Sequence, residues 1–139
     1  MAHGTVVLPS SKPPHRERFE TWAKELKALY KEHKPDLVVV EELHVDRNLN
    51  TMKILCGLLT MTVVTLPKKA RIVMCHQGTA KKDVVKPYIG RAKLNKEDVF
   101  KWATETYKLR DFKFKNQNDV TDAILVAHWA LNADLTESG

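Results

Sequence analysis

Leu37-Val38-Val39-Val40-Glu41-Glu42 is the stretch that decides the fold. Four apolar residues, three of them β-branched, run without alternation and stop at two acids. An unbroken run of this kind fits a strand covered on both faces, the setting of parallel sheets. On its N-terminal side Phe19, Trp22, Ala23, Leu26, Leu29 and Tyr30 recur at helical spacing. They predict an amphipathic helix whose aromatic residues are core. That helix ends at His33-Lys34-Pro35, because the residue before proline avoids helical angles. On the C-terminal side a polar loop with Asp46, Arg47 and Asn48 leads into a second helix over residues 49–65. Met52, Leu55, Leu58, Leu59 and Val63 mark its spacing, and Gly57 is a point of close packing. Arg71-Ile72-Val73-Met74-Cys75 predicts another strand.

Farther out, Thr5-Val6-Val7-Leu8 predicts a short strand, followed by a Pro-rich loop. Residues 77–83 predict a turn and a helix start with Thr79 as N-cap. Asn95 and Asp98 have the spacing of a capping box, with Phe100, Ala103 and Tyr107 beyond it. Phe112-Lys113-Phe114-Lys115 alternates over too few residues to be more than a loop or a strand fragment. A last helix is expected from near Asn118, burying Ala123, Ile124, Ala127, Ala130 and Leu131, with a frayed tail after Asn132. Strands alternating with helices predict one α/β domain over residues 1–139.

Composition narrows the function. The chain is 43% hydrophobic and 29% charged, enough to build a core. Its opening residues lack the basic-then-apolar pattern of a secretory signal. Its longest apolar stretch, residues 54–66, is too short to span a bilayer, so no membrane partner is expected. Cys56 and Cys75 form no CxxC pair and cannot alone hold zinc, which suits a reduced, cytoplasmic setting. The net charge is +6, unevenly spread: residues 68–115 hold 14 Lys or Arg against five Asp or Glu. Such a basic segment is the footprint of a polyanion or simply a solvated lysine-rich surface. Charge alone does not separate DNA, RNA and acidic lipid.

Two acidic features carry chemistry. Glu41 follows a strand directly, and ligands of open α/β sheets bind beyond the carboxyl ends of strands. Asp119 and Asp122 stand at i and i+3 and project from one helix face. Carboxylates converging from a strand end and a helix start bind Mg²⁺ or Mn²⁺. A metal so held activates water and stabilises the leaving oxygen of a phosphodiester. Each feature also has a plainer reading, Glu41 and Glu42 as a solvated strand end and the aspartates as helix caps. His76, between a strand and the Gly78 turn, is in reach of phosphate, although a surface histidine without a role is the commoner case. His44 and His128 have no metal-ligand spacing to a second His or Cys.

Three segments in order resemble RuvC-type Holliday-junction resolvases. Lys34-Pro35-Asp36-Leu37-Val38-Val39-Val40-Glu41 resembles the strand that ends in that family's catalytic glutamate. Gly78-Thr79-Ala80-Lys81-Lys82-Asp83-Val84 resembles its Gly-Ser-Ala-x-Lys segment. Asp119-Val120-Thr121-Asp122-Ala123-Ile124-Leu125-Val126-Ala127 resembles its closing Asp-x-x-Asp-Ala-x-x-x-Ala helix. The resemblance implies an RNase H-like, three-layer α/β/α fold and Mg²⁺-dependent cleavage of branched DNA by a homodimer. It assigns Glu41, Asp119 and Asp122 to the metal and Lys82 to the scissile phosphate, with Lys81 as its rival. Lys81, Lys82, Lys86, Arg91, Lys93 and His76 would then face DNA. A bacterial or phage origin suits the family.

The pattern departs from the family at the N-terminus. Residues 5–8 match the family's third strand, so its first two strands, including the one with a catalytic aspartate, have no counterpart. Three readings follow: a junction endonuclease, a DNA-binding module of the same fold that lost the first aspartate, and a structural domain whose acids are caps. The module would bind DNA with a steep salt dependence.

Overall fold

The computed structural model describes residues 2–44, 48–91 and 93–133. The expected loop residues Asp46 and Arg47 and most of the expected frayed tail lie outside the described residues. Strand β1 (Leu37–Glu41) pairs in parallel with β2 (Arg71–Cys75), and α2 (Leu49–Thr65) makes the crossover between them. The backbone N–H of Glu42 donates to the carbonyl of Cys75 at 2.8 Å and extends the ladder. Both strands are half-buried along most of their length, rather than fully covered as the apolar run predicts. Residues 5–8 join no strand, and Val7 is 86% exposed. The expected strand fails there because four residues ending at Pro9 have no ladder partner among the described residues.

The chain packs as two compact units. One comprises Gly4–Val38 and the described part of Leu43–Val73. Its body is α1 (Arg16–His33) against α2. Lys34 leaves α1 in the left-handed region, φ 45°, and its N–H caps the carbonyl of Tyr30. Asn48 caps α2 by accepting from the N–H of Thr51 at 3.2 Å. Gly57 brings the two helices together: a Cβ there would lie 2.3 Å from the Phe19 ring. Trp22 Nε1 donates to Thr62 Oγ1 at 2.9 Å, and that hydroxyl donates on to the carbonyl of Leu58. No helix among the described residues is long and apolar enough to cross a membrane.

The other unit comprises residues 2–3, Val39–Glu42 and the described part of Met74–Gly139. Helix α3 (Gln77–Ala80) starts at once after β2, with His76 as an extended N-cap. Thr79 therefore lies inside the first turn and is not the cap that the sequence suggests. The helix continues through a π-helical turn (Lys81–Val85) into α4 (Lys86–Ile89). Pro87 explains the wider turn. It has no N–H for the carbonyl of Asp83 four residues back, and its ring crowds that carbonyl. The N–H of Lys86 reaches Lys81, five residues back, instead.

Helix α5 (Lys96–Thr106) has the expected capping box: Asn95 Oδ1 accepts from the N–H of Asp98, and Asp98 Oδ2 accepts from the N–H of Asn95, both at 2.9 Å. Arg91 also pairs with Asp98.

Helix α6 (Phe114–Asn132) begins four residues before the expected Asn118. The Gln117 side chain accepts from the N–H of Lys113 at 2.7 Å, and the Phe114 ring packs edge-on against Phe100. These contacts nucleate a turn where the Phe-Lys alternation suggests a loop or strand. The buried face differs too. Ile124 and Ala130 are buried as expected, together with Thr121, Asp122, Leu125 and Val126, while Ala123 and Ala127 are exposed and Leu131 is 80% exposed. Apolar residues surround this helix, so spacing alone does not choose a face. The larger Leu125 releases more free energy on burial than an alanine does. The core of this unit is Cys75, Ala80, Val85, Val99, Trp102, Ala103, Ile124, Leu125 and Val126.

Candidate active site

The early start of α6 settles the role of its two aspartates as far as capping goes. Free N–H groups belong to the first four residues of a helix. Asp119 and Asp122 lie in the second and third turns, too far along to cap. Asp119 is exposed, whereas Asp122 is 7% exposed. A buried carboxylate needs partners, and Asp122 has one on each oxygen. Oδ1 accepts from Gln77 Nε2 at 3.2 Å, and Oδ2 accepts from Lys96 Nζ at 3.4 Å. Burial pushes the Asp122 carboxyl up in pKa, against the pull of Lys96 and Lys81, and the charge of Asp119 adds to the rise. One cluster therefore joins Gln77 from the start of α3, Lys81 from the π turn, Lys96 from the first turn of α5, and both aspartates of α6.

Glu41 is the third carboxylate. It is exposed at the end of β1. Burial raises the pKa of the Cys75 thiol, and the charges of Glu41 and Asp83 raise it further. Asp83 also accepts from Trp129 Nε1 at 2.9 Å. Among the described residues no three His, Cys, Asp or Glu groups converge as a ligand set. The oxygens suit a hard cation. Their arrangement does not: Asp122 has both oxygens engaged by nitrogen donors. The residues as they stand do not fit a divalent ion.

The other expected residues are spread along the same unit. Lys82, Lys86, Arg91, Lys93 and His76 are exposed, and Lys81 is half-buried. Of the two rival lysines, Lys81 acts on the charge of Asp122. Arg91 is engaged by Asp98, which lies 4% exposed. His128 is no surface residue without a role. Its Nδ1 is 2.6 Å from Tyr107 Oη, its ring stacks edge-on with Trp102, and burial lowers its pKa.

Sequence reasoning missed Gln77 and Lys96. Neither belongs to a metal or nuclease pattern, and they meet Asp122 across 45 and 26 residues. Gln77 also carries the one buried side-chain oxygen without a hydrogen-bond partner among the described residues, its Oε1.

Comparison with known proteins bears on what this cluster serves. Thermus thermophilus RuvC in complex with a Holliday junction substrate is similar to the chain with a TM-score of 0.73 at 18% identity, covering 94% of this chain and 79% of that one. A second Thermus thermophilus RuvC structure is similar with a TM-score of 0.67 at 19% identity, covering 94% and 78%. At such identity the likeness establishes the fold, the mixed α/β architecture expected from the sequence. No curated protein matches the sequence. The family model described as crossover junction endodeoxyribonuclease RuvC does match, over residues 1–129. With fold and sequence in agreement over nearly the whole length, the chain belongs to the RuvC family of crossover junction endodeoxyribonucleases.

Proposed function

We propose that the chain, acting as one domain, is a Holliday-junction resolvase that cuts four-way DNA with Mg²⁺ or Mn²⁺ as a homodimer. Family membership supports the nuclease over a module that only binds DNA. The observation that carries the reading at the level of residues is the meeting of Asp119, Asp122 and Lys81. Carboxylates beside a lysine of the basic segment are what a phosphodiester and its counter-ion require.

In this reading Glu41, Asp119 and Asp122 hold the cation once Asp122 is released from its present partners. Lys81 and Lys82 neutralise phosphate charge near the cut. Lys86, Arg91, Lys93 and His76 line the path of the DNA, so affinity falls steeply with salt. Residues 68–115, which carry the whole of the basic excess, supply that attraction.

A cleavage assay tests the proposal. Wild-type protein with Mn²⁺ is expected to cut a four-way junction in preference to linear duplex. Glu41→Gln should lose activity by about 100-fold or more, on the order of a lost charge-stabilising group. Equal cutting by wild type and Glu41→Gln would remove Glu41 from the chemistry. Tight junction binding without cutting in either protein would return the DNA-binding module to first place.

A further inference from the structure

The disagreement between the carboxylates and a metal site has a local cause. Asp122 is the most buried of the three acids assigned to the cation, and it already holds a positive charge. Lys96 Nζ stands 3.4 Å from Oδ2. The lysine side chain is 57% exposed, whereas that of Asp122 is 10% exposed. One partner is therefore fixed in the protein and the other can swing into solvent. The backbone of Lys96 is anchored, because it is the first residue of α5, directly after the Asn95 capping box. Only the flexible stem has to move.

Gln77 shows that the arrangement is incomplete. Its Nε2 donates to Asp122 Oδ1, and this choice leaves Oε1 buried without a donor. A buried acceptor in that state is uncommon in folded proteins and marks a place where a water or an ion belongs. Turning the amide over would aim the oxygen at the carboxylate, which is repulsive unless a cation lies between them.

We infer that Lys96 is an internal substitute cation, which holds Asp122 in place without metal and must leave it before a divalent ion can bind. The inference rests on the metal reading proposed above. Like charges at one carboxylate repel, so an ammonium and a divalent ion compete there. Lys96 is a positioning residue that sets the affinity for the ion.

Calorimetric titration of Mn²⁺ into the full chain tests this, with wild type, Lys96→Met, Lys96→Arg and Asp122→Asn side by side. Lys96→Met should bind Mn²⁺ about fivefold more tightly than wild type, the scale of a partly exposed ion pair removed. Lys96→Arg keeps the competing charge and should stay within about twofold of wild type. Asp122→Asn should lose binding. Wild type alone supplies a second readout that needs no substitution to fold: acylation of Lys96 by an amine-directed reagent, read by peptide mass, should rise about twofold on saturation with Mn²⁺. Equal affinity in wild type and Lys96→Met, with binding still lost in Asp122→Asn, would overturn the role of Lys96 and leave the metal site standing. Unchanged acylation of Lys96 in the Mn²⁺-saturated protein would overturn it equally. No Mn²⁺ binding in wild type or in Lys96→Met would overturn the metal reading and this inference together.

Discussion

Helices α5 and α6 bury Val99, Trp102, Ala103, Ile124, Leu125 and Val126 among them, whereas α1 and α2 bury Leu26 and Thr62. Composition does not explain the contrast. Helix α2 is as apolar as α6, yet it leaves Leu49, Val63 and Val64 at least half exposed. What differs is interlocking. In the α5–α6 unit, elements from β2 to α6 feed one core. The α1–α2 pair is joined by the Gly57–Phe19 contact and the Trp22–Thr62 hydrogen bond. The candidate site sits in the better-packed unit, and chemistry needs side chains held by packed neighbours. Asp122 is followed two and three residues later by Ile124 and Leu125, both in that core.

Trp102→Ala should be the harshest way to break this comparison, with a loss of about 3–5 kcal/mol by chemical denaturation. Leu26→Ala in α1 should cost about 2–3 kcal/mol, the lower part of the range for a large-to-small change. If the order is reversed, the α1–α2 pair is the true centre of stability. Gly57→Ala sharpens the contrast at a smaller scale. The new methyl group pushes on the Phe19 ring, and the loss should be about 1–3 kcal/mol by thermal melting. An alanine there that leaves stability unchanged would mean that the two helices slide apart freely.

The smallest effect expected is that of Asp98, and it depends on pH. The N–H of Asn95, and then Arg91, hold the Asp98 carboxyl below its ordinary range. A carboxylate with a lowered folded pKa contributes stability above its unfolded pKa and loses it as pH falls through the folded value. Asp98→Asn should therefore be less stable than wild type at neutral pH. The difference should start to shrink below about pH 4, the ordinary Asp range, and vanish only once the pH is below the lowered folded value. A gap that persists in acid would show that the Asp98 contacts act without its charge.

Much of this fold is legible in the sequence because the signals are local. The Val38-Val39-Val40 run, the stop at Pro35 and the Asn95–Asp98 spacing each act within a few residues, and each gives the element it predicts. The failures have a common origin in tertiary contacts. Phe114 joins α6 because Phe100 receives its ring, which no short window contains. Residues 5–8 have β-branched side chains but, among the described residues, no ladder partner to complete a strand. The candidate site divides the same way. Asp119 and Asp122 stand out by their i, i+3 spacing, and Glu41 by ending a strand. Gln77 and Lys96 do not stand out, since their meaning comes only from where Asp122 folds to.

The π-helical turn has a consequence for how this basic segment tolerates insertions and deletions. Each α-helical residue turns the chain by about 100°, so one residue added or removed rotates everything on one side of it relative to the other. The turn at Lys81–Val85 already contains such an offset. It sets the phase of Lys81 and Lys82 apart from that of α4, while Val85 stays in the core. Deleting Val84 alone would change the phase between Lys81 and α4 by about 100°, with no charge removed. Length, rather than composition, is the more fragile property of this stretch.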